Sequence, residues 1–306
     1  VGFHHQKGNL IEFTIAEQDE IEIEWTKLLP FYAIPDGAHK CVQDASWFQI
    51  HSKIQNKMFY GVACYRQIDI SDVHNVTEDM NRSRIQKSVV LLCEAPLFAL
   101  MEERTRIITE AYFCKGEEQF NNTLLVDWFN SLRSEVTVDT LYEGLDLAPI
   151  FDKFQLNVLR IVKLVLLQKK ILFFGSPAAN VCRTVISLLS LIPGTFEKGH
   201  VELSAGLKEV HLPFQLFGQN DILQPYLPIQ NMNLIENCNS FVIGACNLLF
   251  TKSQAVQPDF IVNIENGNIE IVNVDAGLKK LMRINRADTN FMKDILEKHK
   301  NRADSA

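Results

Sequence analysis

Phe59-Tyr-Gly-Val-Ala-Cys-Tyr-Arg-Gln-Ile68 stands between two further blocks, Leu29-Pro-Phe-Tyr-Ala-Ile-Pro-Asp-Gly-Ala-His39 upstream and Lys87-Ser-Val-Val-Leu-Leu-Cys93 downstream. The runs at 59–68 and 87–93 are apolar and rich in β-branched and aromatic residues, so each predicts a strand. The run at 29–39 carries Pro30, Pro35 and Asp36-Gly37 and predicts a turn-rich loop, because Gly supplies positive φ and Asp bonds its own backbone. None of the three is a catalytic motif, and together they frame an α/β module.

Outward from these blocks, more strands are expected at Leu10–Ile15, in the acidic alternation Glu20-Ile-Glu-Ile-Glu24, and at Trp47–His51. Helical spacing follows in Leu97, Met101, Ile108 and Tyr112, and again in Leu124, Trp128 and Leu132. Strands followed by helices predict a sheet with helices packed on it. Beyond Ser134–Pro149 the pattern changes. Phe151–Leu167 is apolar nearly all round and predicts one helix buried on more than one face, leading into a central strand at Ile171–Phe174. In Gly175-Ser176-Pro177, Ser is placed to cap a helix and Pro to take its first position; that helix runs on to Pro193-Gly194. A strand at Phe241–Cys246 follows, and Asn266-Gly267 between Phe260–Ile264 and Ile269–Val274 marks a hairpin. Asp275–Lys300 reads as amphipathic and helical. The fold class is therefore α/β in two modules.

Composition narrows the partners. The 306 residues are 47% hydrophobic and 22% charged, enough to bury a core, and a net charge of −7 disfavours nucleic acid, which wants a basic face. The seven cysteines form no CxxC pair and sit mostly in apolar runs, as reduced core thiols do, so the Asn-X-Ser/Thr matches at Asn75, Asn81 and Asn121 carry no weight. A cytoplasmic chain is expected. No stretch reaches the ~20 apolar residues of a bilayer span, so membrane association would be peripheral. Val1-Gly-Phe-His-His reads as the tail of a strand that begins upstream.

Candidate chemistry is sparse. Phe173-Phe-Gly-Ser-Pro177 is a strand–loop–helix junction without the glycines and lysine of a P-loop, and Pro177 removes the N–H that a nucleophile elbow at Ser176 would need. The eight histidines are dispersed, with none at metal-ligand spacing, so no metal and no cofactor is expected. Arg82 and Arg84 precede the strand at Ser88; each reads either as a solvated charge or as a finger toward a partner's phosphates. Lys279, Lys280, Arg283 and Arg286 recur at helical spacing, as a solvated face or as a contact for anionic lipid.

The three opening blocks, taken with Lys163–Phe174, Leu188-Leu-Ser-Leu-Ile-Pro-Gly194 and Phe241–Phe250, resemble the DENN-domain superfamily over nearly the whole chain. Within it they are most similar to the Avl-nine branch, linked to the late secretory pathway. The chain departs from that branch in a truncated first strand, a polar insert shortened to Thr195–Gln219, and a downstream helical segment that stops early. The resemblance implies a longin-like module over 1–135, a central DENN module over 136–286 and the start of a helical segment over 287–306. It also implies a Rab-type small GTPase bound in the cleft between modules, with exchange of GDP for GTP by an exchange factor rather than by a chemical catalyst. The setting would be Golgi, endosomal or secretory membranes, with peripheral attachment. By their position at strand ends, Asp36 and Gly37 would line one wall and Gly175, Ser176 and Pro177 the other, with Arg160 and Lys169 as electrostatic contacts. The alternatives are a GTPase-activating protein with Arg84, or next Arg82, as its finger, and a non-catalytic scaffold.

Overall fold

The runs at 59–68 and 87–93 pair with each other as neighbouring antiparallel strands, Tyr60 opposite Cys93 and Ile68 opposite Ile85. They lie in the first of two five-stranded sheets of a computed structural model that describes residues 1–4, 6–16, 23–74, 83–132, 136–192, 195–196, 221–253 and 256–303. The predicted strand at 20–24 falls largely outside these residues, as do the helix stop at Pro193-Gly194 and most of the Thr195–Gln219 insert.

The first sheet contains β1 (Gly2–His4), β2 (Gly8–Leu10), β3 (Gln43–Ser52), β4 (Lys57–Asp69) and β5 (Arg84–Cys93) in the order β2-β1-β5-β4-β3. Every pairing is antiparallel, and β4 spans both neighbours from end to end. β2 ends at Leu10, so the strand expected over Leu10–Ile15 is not formed. Helix α1 (Ile23–Ala33) replaces the first half of the loop expected at 29–39, and it contains Pro30. The reason is spacing. Trp25, Leu29 and Tyr32, at i, i+4 and i+7, are buried on one helix face, with the Trp25 and Tyr32 rings against Phe59 and Phe48 at centroid distances of 5.2 and 4.7 Å. Burying three such side chains is worth roughly 5–9 kcal/mol, more than the ~3 kcal/mol of an internal proline. The turn survives just beyond, where Gly37 takes φ +80°.

Helix α2 (Phe98–Tyr112) packs on β4 and β5, its Phe98 ring stacked on Trp47 at 5.5 Å; α3 (Asn122–Ser131) follows. The chain then runs through α4 (Val138–Tyr142), α5 (Ala148–Phe154) and α6 (Asn157–Leu166). The single helix expected over 151–167 is thus two, broken where Gln155 adopts φ 48°.

The second sheet has the order β10-β9-β6-β8-β7, with β6 (Lys170–Phe174) at its centre. Its partners are β7 (Asp221–Gln224), β8 (Ser240–Ala245), β9 (Phe260–Asn263) and β10 (Ile269–Ile271). β6 to β9 run parallel, and β10 returns antiparallel through the predicted Asn-Gly hairpin. Helix α7 (Ala178–Ser190) is buried along most of its length, as expected of a helix whose strand is central. After α8 (Leu249–Lys252) and the hairpin, α9 (Ala276–Leu281) and α10 (Arg286–Ala303) complete the described chain. Among the described residues no helix is long and apolar enough to cross a membrane.

Candidate functional site

β3 is the edge strand of the first sheet, and an edge strand presents unpaired N–H and C=O groups that must be covered. Here side chains of α7 and of the second sheet accept two of the N–H groups. The Trp47 N–H donates to Cys182 Sγ at 3.2 Å, and the Gln49 N–H to Gln224 Oε1 at 2.7 Å. Gln224 lies on β7, itself an edge strand, and the tie is reciprocal: Gln224 Nε2 donates to the Gln49 carbonyl at 2.9 Å while Gln49 Nε2 donates to the Leu223 carbonyl at 2.9 Å. Two sheet edges are thus joined by two buried amides.

The start of α7 is held across the same boundary. Asp44 on β3 accepts the Ala178 N–H on Oδ2 at 3.1 Å and the Ala179 N–H on Oδ1 at 3.0 Å. A helix begins with four N–H groups lacking intrahelical partners, and a carboxylate there also meets the positive end of the helix dipole. The sequence suggested Ser176 as the cap and Pro177 as the first helical residue. Instead Pro177 takes the position just before the helix, Ser176 is exposed, and the capping oxygens come from the other sheet. Burial pushes the Asp44 carboxyl up from its ordinary range, outweighing the three backbone N–H groups that pull it down.

Next to this cap a cavity of about 200 Å³ opens at the junction, lined by Asp44, Arg66, Glu102, Arg106, Pro177 and Arg183 among others. Glu102, 6% exposed, accepts the Trp47 indole N–H at 2.7 Å and pairs with Arg183 of α7. Arg66 Nε is buried without a hydrogen-bond partner among the described residues. The walls alternate in charge, and burial drives the thiol of Cys64, the one cysteine in that lining, upward, so it stays protonated at neutral pH. No group of three or more His, Cys, Asp or Glu among the described residues could hold a metal ion. Such a surface binds by charge and shape. A more apolar hollow of about 250 Å³ lies away from the seam, lined only by residues up to Phe129.

The residues singled out from sequence are dispersed. Asp36 belongs to the seam: its N–H donates to Tyr226 Oη at 2.6 Å, its Oδ2 accepts the Ile229 N–H at 2.9 Å, and burial raises its carboxyl. Gly37 beside it is exposed. Gly175 is buried at the end of β6 against Ile264, and Pro177 lines the cavity. Arg160 lies in the first turn of α6 and donates to Asn157 Oδ1 at 2.5 Å; Asn157 in turn reaches the carbonyl of Gly267 in the hairpin. Lys169 precedes β6, six residues and so roughly 20 Å of strand from Gly175, and is not brought together with it. Arg84, at the start of β5, is exposed and bonded through Nε to Asp69 at 3.0 Å; Arg82 lies outside the described residues. Lys279 and Lys280 are exposed on α9, Arg286 at the start of α10 and Arg283 in the break between them, so the helix expected over 275–300 is two.

Asp44, Gln49, Glu102, Arg183 and Gln224 were not singled out from sequence. The partners of Asp44 lie 134 and 135 residues away, so no spacing rule reaches them. A faint signal existed in Gln49, a polar residue inside the apolar run Trp47-Phe48-Gln49-Ile50.

A family model described as transport protein Avl9 matches residues 1–206 and 200–306. The chain is similar to the late secretory pathway protein avl9 of Schizosaccharomyces pombe, 29% identical over 323 residues that cover 97% of this chain and 68% of that protein. It is also similar to the late secretory pathway protein AVL9 of Saccharomyces cerevisiae, 24% identical over 348 residues, 96% of this chain and 45% of that protein.

Proposed function

As the chain belongs to the Avl9 family, we propose that it is a DENN-type regulator of a Rab-family small GTPase in late secretory traffic, promoting exchange of GDP for GTP. The observation that carries this is the seam, where the edges of two α/β sheets are locked together and leave a charged cavity of about 200 Å³ between β3, α2 and the start of α7. The names of the yeast relatives support the place in late secretion. In this proposal residues 1–135 form the longin-like module, 136–286 the central module and 287–306 the start of a helical segment.

Exchange requires no covalent step. A partner held with its switch segments displaced loses contacts to nucleotide and Mg²⁺, and preferential binding of that state shifts the population toward it. A rigid seam suits this, because a surface that does not yield makes the partner bear the distortion. Arg66, Arg106 and Arg183, interleaved with Asp44 and Glu102, supply the charges against which switch residues would be fixed.

The test is release of labelled GDP and hydrolysis of GTP across a Rab panel, with the chain and with Arg84→Ala and Arg66→Ala. Faster GDP release, untouched by Arg84→Ala and reduced by Arg66→Ala, is expected. Faster hydrolysis abolished by Arg84→Ala would replace exchange with activation. Binding with neither effect would leave a scaffold.

A further inference from the structure

Between Asp275 and Ala303 the sequence carries eight Lys or Arg against four Asp or Glu, in a chain whose totals are 30 against 37. Four of those cations, Lys279, Lys280, Arg283 and Arg286, fall within eight residues, and all four are exposed and outside any ion pair among the described residues. Two of the four acids, the two nearest these cations in sequence, are engaged elsewhere. Asp275 accepts the Leu278 N–H at 2.7 Å as the cap of α9. Asp288 bonds Lys163 Nζ at 2.9 Å and the Asn285 N–H at 3.1 Å; these contacts hold its carboxyl below the usual range.

Exposed apolar side chains stand close to these cations along the chain. Leu281 is 60% exposed and Phe291 55%, while the residue after each, Met282 and Met292, is buried at 7% and 1%. The methionines anchor the two helices to the fold, so the exposed Leu and Phe are held outward rather than frayed. Cations interleaved with an exposed aromatic and leucine match the chemistry of a bilayer interface, where anionic headgroups meet the ends of acyl chains.

We propose that α9, the following turn and the start of α10 form a docking surface for an anionic lipid bilayer. Lys279, Lys280, Arg283 and Arg286 face the headgroups, and Leu281 and Phe291 enter the interface. The chain as a whole is negative, so attraction to such a membrane has to come from a local basic surface, and docking through this one would set the orientation in which the seam is presented. The proposal stands apart from nucleotide exchange, which is measured in solution without lipid.

The test is co-sedimentation of the chain with phosphatidylcholine vesicles, plain or containing about one-third phosphatidylserine. Pelleting with the anionic vesicles alone is expected, falling steeply as salt rises. Each cation contributes roughly fivefold in partitioning, so Lys279→Gln with Lys280→Gln should lower it roughly thirtyfold. Leu281→Ser with Phe291→Ser should weaken binding while leaving its salt dependence in place. All four side chains are exposed, so circular dichroism and Tm of both variants should match the parent. No pelleting with anionic vesicles, or equal pelleting of parent and Lys variant, would overturn the proposal. Retention on polyglutamate without vesicle binding would overturn it in favour of an acidic protein partner.

Discussion

Replacing Asp44 by alanine removes one carboxylate and orphans groups on both sides of the seam. Its Oδ1 and Oδ2 accept the N–H groups of Ala179 and Ala178, which are 8% and 1% exposed, and water from the adjoining cavity, which Ala179 lines and Ala178 does not, would replace only part of that bonding. Leaving a buried N–H without its acceptor costs about 1–3 kcal/mol, or roughly 2–6 kcal/mol for the pair. Against this stands the relief of no longer burying a carboxylate, whose raised pKa shows that burial outweighs its hydrogen bonds. The net loss expected for Asp44→Ala is about 2–4 kcal/mol, above the ~1 kcal/mol of an ordinary exposed cap. Equilibrium urea unfolding, followed by tryptophan fluorescence and far-UV circular dichroism, measures it. With a urea m-value of about 2–3 kcal/mol/M, the midpoint should fall by about 1 M. Asp69→Ala is the control, because it removes the same charge from a pair whose side chains are more than half exposed, worth ~0–1 kcal/mol. If Asp44→Ala costs no more than Asp69→Ala, the cross-sheet cap does not hold α7 and the account of the seam fails.

Two further outcomes follow from the same geometry. Asp36 and Asp44 both have folded pKa values raised above the ordinary 3.8 by burial, so the folded state binds protons more tightly than the unfolded one. Their stabilisation is fully present below pH 3.8 and declines as pH rises through the folded values, so the cost of Asp44→Ala should be larger in acid than at neutral pH; a cost that grows with pH would mean the three N–H groups outweigh burial. A Cβ on Gly244 would lie 2.0 Å from the Pro225 carbonyl oxygen and 2.5 Å from Val181 Cγ1, so Gly244→Ala should lower Tm by about 5 °C or more; a Tm within ~1 °C of the parent would show that β8 and the chain after β7 do not abut.

The legible parts of the fold were those fixed by local periodicity. β3 to β5, β6, β8 and the β9–β10 hairpin announced themselves as apolar runs between turn residues, and α2 and α3 as helical spacing. Around Pro30 two local signals conflicted: a breaker residue said loop, while Trp25, Leu29 and Tyr32 at helical spacing said helix, and the burial available on β3 and β4 decided for the helix. β7 escaped because four residues, Asp221–Gln224, carry too little pattern to be told from a loop until β8 pairs with them.

From the chain alone come the α/β class, most strands of the two sheets and, through motifs spread over the whole chain, the family. The class and those strands rest on side-chain periods of two and 3.6 residues, which a linear chain displays openly. Tertiary structure alone decided the seam. That Asp44 caps α7, that Gln49 meets Gln224 and that Glu102 meets Arg183 depends on which edges of two sheets abut. Such contacts join residues 81 to 175 positions apart, and no local period encodes them. The same division separates the basic run at 279–286, plain in the sequence, from the outward hold on Leu281 and Phe291, which exists only because Met282 and Met292 are buried beside them.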